Sequence, residues 1–392
     1  MINHNMYQLG ANRSCIRELF EYGRSRAAVV GAENVFDYSL GNPSIPAPDG
    51  VNDAVRAVLA ELDPLAVHGY TSAAGDLSFR AAIADDLNER FGTDASAQDL
   101  FVGCGAAPEL ISVFRALAVE NAEFIAIAPF FPEYRPFVEC AGGKLVVVPA
   151  DIPGFQIDMA ALEEAITPNT QAVILNSPNN PAGTVYTADT LRTLADILRR
   201  KGAEYGHPIY IVADEPYREL VYGGAEVPFI PNLYENTVVC YSWSKSLSLP
   251  GERIGYVYVS PSCADHDALY AAIAGAARAA GHVCAPSLWQ KVITRCIKLR
   301  PDLNAYDENR RLLADSLKSY GYELAQPDGA FYLFVRAPGG SAKEFSEKAK
   351  RHDLLVVPGD DFGCPEYFRI CYCVSKTQIL RSLPVFERLI RE

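Results

Sequence analysis

Short, continuous apolar runs recur along the middle of the chain, and helix-like amphipathic segments separate them. Runs of this kind are typical of strands that are buried on both faces of a mostly parallel sheet. The seven runs are Leu100–Val102, Phe124–Ile127, Leu145–Val148, Ala172–Leu175, Ile209–Val212, Val238–Tyr241 and Tyr256–Val259. Helices are predicted between them, for example over Pro108–Val119 and Asp189–Arg200. This alternation predicts an α/β fold whose large domain has a mostly parallel seven-stranded sheet covered by helices.

The hydrophobic pattern changes after about residue 290. Two amphipathic helices and two strand-like runs are predicted there, at Trp289–Ile297, Ala305–Tyr320, Ala330–Val335 and Phe368–Cys373. Near the other end, residues 41–48 are rich in Gly and Pro, which is the composition of a connector. We therefore predict a large domain over residues 49–290. A smaller α+β domain is predicted from both chain ends, residues 1–48 and 291–392.

Composition narrows the class of protein. The chain has 392 residues, of which 49% are hydrophobic and 21% charged, and these are values of a globular protein with a large core. The formal net charge is -13, and a field of that sign repels nucleic-acid backbones and anionic lipid surfaces. Neither a signal peptide nor an apolar stretch of membrane-spanning length is visible. We expect no nucleic acid and no membrane among the partners, and a cytoplasmic location.

Ten cysteines are scattered through apolar surroundings without regular spacing. Free thiols that act as small core residues explain this distribution better than a disulfide framework does in a chain of this length. Cys371 and Cys373 would share one face of a predicted strand, but no second pair of ligands lies near them in the sequence. We therefore predict no metal site.

Four motifs carry chemically useful side chains, and three of them directly follow predicted strands. Ligands of an open α/β sheet bind beyond the carboxyl ends of its strands, so these motifs are expected to share one crevice. The motifs are Asn176–Gly183, Asp214–Tyr217, Ser242–Lys245 with Gly251–Gly255 after it, and Tyr367–Ile370. Each motif alone is explained by a capping aspartate, a solvated lysine, a surface arginine or a turn. Their order and their chemical complementarity favour one common site.

Taken together, these motifs resemble the fold-type I, class I/II aminotransferases, which use pyridoxal 5'-phosphate and include aspartate aminotransferase. The resemblance covers nearly the whole chain, with Asn-Pro-x-Gly, Asp-x-x-Tyr, Ser-x-Ser-Lys and Gly-Glu-Arg-x-Gly in this order. It implies that Lys245 holds the cofactor as a Schiff base and moves the proton of the substrate Cα. It also implies that Asp214 keeps the pyridine nitrogen protonated. Tyr217 and Asn180 match the residues that hydrogen-bond the 3-oxygen of the ring.

The resemblance further implies a cup for the cofactor phosphate. The matching residues are Gly105, Ala106, Ala107, Ser242, Ser244 and Arg253. The planar guanidinium of Arg253 suits phosphate oxygens, and the free N–H groups at a helix start suit an anion. Ala107 departs from the family, which often has a hydroxyl residue at this position. The absence of a hydroxyl group at Ala107 predicts somewhat weaker phosphate binding.

The remaining matches concern the ring, the second subunit and the substrate. Phe131 matches the aromatic residue that stacks on the cofactor ring. Tyr70 matches a tyrosine that reaches the phosphate in the neighbouring subunit, which implies a homodimer with shared active sites. Arg369 matches the arginine that binds the substrate α-carboxylate bidentately, and Gly41 and Asn180 match its other contacts. A substrate held in this way would draw the two domains together.

The resemblance implies transfer of an amino group from an L-amino acid to a 2-oxo acid through a ping-pong cycle. Two alternatives stay open. A carbon–sulfur β-lyase or a decarboxylase would use the same fold and cofactor, although Arg369 favours reactions that retain the α-carboxylate. A non-catalytic ligand sensor would also bind the cofactor, but the acidic charge is unfavourable for a DNA-bound regulator. The identity of the donor and the acceptor is not determined by these residues.

Overall fold

A computed structural model describes residues 1–11 and 14–392 of the chain. Its helices are α1 (His4–Ala11), α2 (Cys15–Val30), α3 (Asp49–Glu61), α4 (Pro64–His68), α5 (Leu77–Phe91), α6 (Ala106–Leu117), α7 (Tyr134–Ala141), α8 (Met159–Ala165), α9 (Ala188–Tyr205), α10 (Trp243–Ser246), α11 (His266–Ala280), α12 (Ser287–Cys296), α13 (Leu303–Tyr320), α14 (Ala342–Lys350) and α15 (Lys376–Arg391). Its strands are β1 (Phe36–Asp37), β2 (Leu100–Gly103), β3 (Glu123–Ile127), β4 (Lys144–Val148), β5 (Thr170–Asn176), β6 (Tyr210–Asp214), β7 (Thr237–Ser242), β8 (Gly255–Val259), β9 (Tyr332–Arg336), β10 (Leu354–Leu355), β11 (Val357–Pro358) and β12 (Tyr367–Cys371).

A seven-stranded sheet forms the centre of the molecule, in the order β2-β8-β7-β6-β5-β3-β4. Strands β3 to β7 pair in parallel, and β8 runs antiparallel to both of its neighbours. Every residue of β3, β6, β7 and β8 is buried, because helices cover both faces. The seven predicted strands and the α/β class are confirmed.

The two faces of this sheet contribute to two separate hydrophobic clusters, because successive side chains of a strand point to opposite faces. In β6, Ile211 belongs to the first cluster and Val212 to the second. Leu194 and Leu198 of α9 cover the first face, and Phe114 of α6 covers the second. The large core expected from the composition is therefore divided by the sheet.

Helix α6, which begins at the edge of the sheet where the site lies, starts at Ala106 rather than at Pro108 as predicted. Gly105 precedes it with φ of 94°, a backbone conformation that favours glycine. Ala106 and Ala107 are strong helix formers, and Pro108 is tolerated in the first turn because its missing N–H has no partner there. The first free N–H groups of the helix are thus those of the two alanines.

Both chain ends build the smaller α+β part of the molecule. Strand β1 pairs in parallel with β10, and β9, β11 and β12 form an antiparallel sheet. Tyr38 from one end and Phe368 from the other share a third hydrophobic cluster. Ile293 of α12 packs in the first cluster, with the large sheet, and the domain boundary at residue 290 stays a prediction. Within the described ranges, every helix is too short or too polar to traverse a lipid bilayer.

Candidate active site

The carboxyl ends of three neighbouring strands place polar residues side by side at one edge of the sheet. Asn176 ends β5 and lies in register with Asp214, the last residue of β6. Ser242 ends β7 and lies opposite Gly255 of β8. Lys245 follows in the short helix α10. Three of the four predicted motifs therefore meet where an open α/β sheet binds its ligands.

These residues surround a cavity of about 330 Å³. The predicted site residues that line it are Gly41, Ala106, Ala107, Phe131, Asn180, Asp214, Tyr217, Ser242, Ser244, Lys245, Arg253 and Arg369. Gly105 lies just behind this lining, next to the guanidinium of Arg253. Tyr70 lies elsewhere on the surface and is 97% exposed. The structure thus brings together every predicted site residue except Tyr70.

Asp214 is a buried carboxylate with one oxygen held and the other free. Tyr134 donates its hydroxyl hydrogen to Oδ2 over 2.6 Å, whereas Oδ1 has no hydrogen-bond partner among the described residues. Burial and the charge of Glu215 raise the pKa of Asp214 to about 7, and the bond from Tyr134 opposes this rise. A buried polar atom without a partner is destabilising, so Oδ1 is available to a donor that enters the cavity.

Lys245 presents its amine to the same cavity. Its Nζ donates to the backbone carbonyl of Gly41 over 2.6 Å and lies 5.5 Å from the centre of the Phe331 ring. Burial lowers the pKa of Lys245, and the positive charges of Arg369 and Arg253 contribute to the lowering. A lowered pKa increases the fraction of neutral amine, which is the nucleophilic form.

Arg369 is 2% exposed, yet no carboxylate of the described chain forms an ion pair with it. One terminal nitrogen donates to Oδ1 of Asn180 over 2.9 Å, and the other donates to the carbonyl of Ser39 over 2.5 Å. Its Nε has no partner among the residues described. A buried guanidinium without a counterion is costly, so this arrangement suits an anionic ligand in the cavity.

Arg253 and the start of α6 form a second region of the cavity that suits an anion. A Cβ atom placed on Gly105 would lie 2.8 Å from a guanidinium nitrogen of Arg253. The glycine therefore lets the arginine approach the free N–H groups of the first helical turn. Nearby, the Ser242 hydroxyl donates to Oγ of Ser244 over 3.1 Å. Helix N–H groups, a guanidinium and hydroxyls together are the donors that bind phosphate.

Tyr332 belongs to the site, although the sequence did not identify it. Its hydroxyl forms a 2.9 Å hydrogen bond with the hydroxyl of Tyr217, and its ring centre lies 4.7 Å from the Arg369 guanidinium carbon. Burial raises the pKa of Tyr217, which keeps that hydroxyl protonated. A Cβ atom on Gly41 would collide with the Tyr332 hydroxyl, so the close approach of the two residues depends on glycine at position 41. No local pattern distinguishes Tyr332 from a core residue, because the contact depends on tertiary packing.

Two further residues support Asp214, and the sequence contained a signal for each. The Asn176 side chain donates to the Asp214 carbonyl over 2.7 Å and accepts from the Asn180 N–H over 2.7 Å. Asn176 is the last residue of its strand, as Asp214 is of the next. Tyr134 follows Phe131 by three residues, and its N–H donates to the Phe131 carbonyl over 3.0 Å in the turn that precedes α7. The ring centres of Phe131 and Tyr134 are 5.7 Å apart.

A nucleophilic amine that shares one cavity with two arginines, at the carboxyl edge of such a sheet, is the arrangement of an α/β enzyme that acts on anionic ligands. The chain belongs to the aminotransferase class I and II family, whose family model matches residues 33–383. It is 30% identical to the aspartate aminotransferase of Pyrococcus horikoshii, over 96% of this chain and 95% of that protein. It is 27% identical to the aromatic-amino-acid aminotransferase 2 of Thermococcus litoralis, over 97% and 96% of the two chains.

Solved structures agree with this assignment. An amino transferase from Eubacterium rectale superposes with a TM-score of 0.98 at 55% identity, covering 100% of this chain and 98% of that one. The aspartate aminotransferase of Thermus thermophilus with maleate gives a TM-score of 0.86 at 25% identity, with 99% of each chain covered. The predicted fold, enzyme class and amino-group transfer are confirmed: the chain is a pyridoxal-phosphate-dependent aminotransferase. The β-lyase and decarboxylase alternatives are not favoured.

Proposed function

We propose that this cavity binds pyridoxal 5'-phosphate on Lys245 and, by a ping-pong cycle, transfers the amino group of an L-amino acid to a 2-oxo acid. The observation that carries the proposal is the presence, in one cavity, of the Lys245 amine and of an Asp214 oxygen that has no partner among residues 1–11 and 14–392. When bound, the cofactor supplies an aldehyde that takes up the amino group and a ring that accepts the electrons released at the substrate Cα.

The residues present fit this cofactor. Oδ1 of Asp214 would accept the N–H of a protonated pyridine, and the protonated Tyr217 hydroxyl would donate to the 3-oxygen, together with the Asn180 amide. Arg253 and the first turn of α6 would bind the phosphate, with Ser242 and Ser244 beside them. Phe131 offers an aromatic face to the ring. Ala107 would contribute its N–H group but has no hydroxyl. The weaker phosphate binding expected from the sequence stays a prediction.

Lys245 is assigned the proton transfer at the substrate Cα. In the cofactor-free chain the Lys245 amine donates to the Gly41 carbonyl, and its lowered pKa makes the neutral form more accessible near neutral pH. A general base works best when its pKa lies near the operating pH. The same group, once protonated, would give the proton to the C4′ carbon of the cofactor.

We assign to Arg369 the binding of the substrate α-carboxylate. Arg369→Gln should therefore lower kcat/KM for amino donors. Truncating one partner of a buried charged pair costs about 3 kcal/mol, or roughly 100-fold in kcat/KM. The absorbance of the bound cofactor should not change. The matched control is Arg253→Gln, which should instead weaken cofactor retention. Steady-state kinetics and cofactor titration of both variants check this, and an exchange of the two effects would contradict the assignment.

Tyr134 is assigned the support of Asp214, and Tyr134→Phe should weaken the binding of pyridoxal phosphate to the apo-enzyme. The lost hydrogen bond to a charged group contributes about 1.5 kcal/mol, or roughly tenfold in Kd. Because the bond lowers the pKa of Asp214, its loss should raise that pKa from about 7 to a higher value. The protonated acid cannot accept from a protonated pyridine, so the deficit should be larger at pH 7 than at pH 9. An absorbance titration at both pH values measures it, and an unchanged Kd at pH 7 would remove Tyr134 from the site.

The mouth of the cavity has an apolar lining, from which we propose that the donor carries an apolar or aromatic side chain. Ile16 of α2 and Leu40 line it, and Leu40 is 42% exposed. The lining cations of the described chain are Lys245, Arg253 and Arg369, each assigned above to another task. A panel of leucine, methionine, phenylalanine, aspartate and glutamate, followed by the change in the cofactor spectrum, tests this. A faster reaction with aspartate than with any neutral donor would refute it.

We further propose that the two parts of the molecule close on the substrate. Residues 49–290 contribute Lys245 and Asp214 to the cavity, whereas residues 1–48 and 291–392 contribute Gly41 and Arg369. An amino acid held at both sides would draw the parts together and exclude water.

We also propose a homodimer in the cytoplasm, with Tyr70 completing the partner's site. Tyr70 is 97% exposed, and Leu65 and Leu77 in the same segment are 84% and 60% exposed. Exposed apolar groups close together mark surfaces that other chains cover. The ten cysteines are free thiols, as is usual in a reducing compartment. Light scattering of the holoenzyme tests the dimer, and a monomeric mass would contradict it.

A further inference from the structure

Two buried thiols lie beside the active site, and none of the steps above uses them. Cys371 and Cys373 follow Arg369 by two and four residues, so the three side chains share one side of the extended chain. The sulfur atoms are 2.9 Å apart, and the two residues are 0% and 3% exposed. The Cys373 thiol also hydrogen-bonds the carbonyl of Asn42 over 3.1 Å.

The thiol pair is connected to the groups that hold Lys245 and the substrate. Asn42 directly follows Gly41, whose carbonyl accepts the hydrogen bond from Lys245. Cys371 lies opposite Tyr332 in the antiparallel pairing of β12 with β9. A change in the position of either sulfur is therefore transmitted to residues that line the cavity.

The surroundings of the pair favour reaction at Cys371. Burial by itself raises the pKa of a thiol, but a hydrogen bond from Cys373 and the charges of Arg369 and Lys245 together lower the pKa of Cys371. Cys373 has one proton, which can face Asn42 or the sulfur of Cys371. In the second arrangement Cys371 is the sulfur that ionises, and the thiolate is the reactive form.

We propose that Cys371 and Cys373 form a reversible disulfide on exposure to hydrogen peroxide, and that this bond inactivates the enzyme. The Cys371 thiolate attacks one peroxide oxygen, the O–O bond breaks, and a sulfenic acid and hydroxide form. The Cys373 sulfur then attacks the Cys371 sulfur, and the remaining oxygen leaves as water with the Cys373 proton. The sulfurs lose two electrons in total, and with the Cys371 proton the peroxide becomes two waters. Peroxide is small enough to react at buried thiols.

The disulfide changes the geometry at the Asn42 carbonyl. A disulfide bond is about 2.05 Å long, so the sulfurs approach each other by about 0.9 Å, and Cys373 loses the hydrogen that it donates to Asn42. A misplacement of about 1 Å near reacting groups costs about 10²-fold in rate. We expect oxidation to lower the activity by about that factor, and dithiothreitol to restore it.

The test uses the holoenzyme treated with peroxide, then assayed and mapped by mass spectrometry under denaturing, thiol-blocking conditions. The proposal expects a Cys371–Cys373 disulfide, a loss of mass equal to two hydrogens and recovery with dithiothreitol. Cys373→Ala and Cys371→Ser, each compared with its own untreated activity, should resist inactivation, whereas Cys140→Ser, which alters an exposed thiol, should stay sensitive. Reversible inactivation of both pair variants, or a map in which both thiols stay reduced while activity falls, would overturn it. Mass spectrometry detects the Cys371–Cys373 disulfide whatever reaction the enzyme catalyses. A failure of the proposed function can therefore be distinguished from a failure of this proposal.

Discussion

Lys245→Ala is expected to reduce transamination by at least about 10⁴-fold, the upper range of what one positioned acid–base group contributes. The loss should be that large because this amine is assigned both the attachment of the cofactor and the proton transfer at Cα. The cofactor should still bind through Arg253, the first turn of α6 and Asp214, but without a covalent bond. Single-turnover reaction with an amino donor, followed by absorbance, is the measurement.

Two controls separate a lost base from a damaged fold. Lys298→Ala alters an exposed lysine that pairs with Glu89 on the surface, and it should retain its activity. A small primary amine added to the Lys245→Ala enzyme should restore part of the rate, because the missing group is a proton acceptor and the truncation leaves space for it. A Lys245→Ala enzyme with near-normal turnover would remove this lysine from the reaction.

Asp214→Ala is expected to slow the reaction on the order of 10²- to 10³-fold, the usual effect of removing one preorganised electrostatic partner. The carboxylate is the group placed to hold a protonated pyridine nitrogen, and without it the ring is a poorer electron acceptor. Stability of the apo-enzyme should fall by only about 1 kcal/mol: the buried Tyr134 hydroxyl loses its acceptor, but the Asp214 oxygen that has no partner among the described residues is removed as well.

Asp214→Asn is the matched variant, since it preserves the size of the side chain and removes the charge. It should be nearly as slow as Asp214→Ala if the charge is what matters. The pre-steady-state rate of cofactor conversion, measured at saturating donor, compares the two. A wild-type rate in Asp214→Asn would show that hydrogen bonding or packing, rather than charge, is the contribution of this position.

The sequence predicted the sheet well because its strands are buried on both faces. A run such as Ile209–Val212 must be continuously apolar when helices cover both of its sides, and such runs are recognised without knowledge of the fold. The same topology made the shared crevice predictable: Asp214 ends β6, Lys245 follows β7, and parallel strands bring their carboxyl ends to one edge.

Other parts of the site depend on packing that no local pattern records. Tyr332 reaches Tyr217 only because β9 pairs with β12 in a particular register, and Ile16 reaches the mouth only because α2 packs over it. The role expected for Tyr70 requires a second chain, so it stays a prediction. Ile293 shows the same limit for domain boundaries. The amphipathic pattern of its helix does not indicate which part of the molecule the helix packs against, and only the tertiary structure places it with the large sheet.

The proposed chemistry depends on a covalent bond between Lys245 and pyridoxal phosphate in this cavity. Borohydride reduction of the purified holoenzyme, followed by proteolysis and mass spectrometry of the peptides, detects that bond. We expect a phosphopyridoxyl group on the peptide that contains Lys245, and no such group after prior incubation with an amino donor in the absence of a 2-oxo acid. A saturated enzyme that carries the group on another lysine, or on none, would refute the assignment of Lys245.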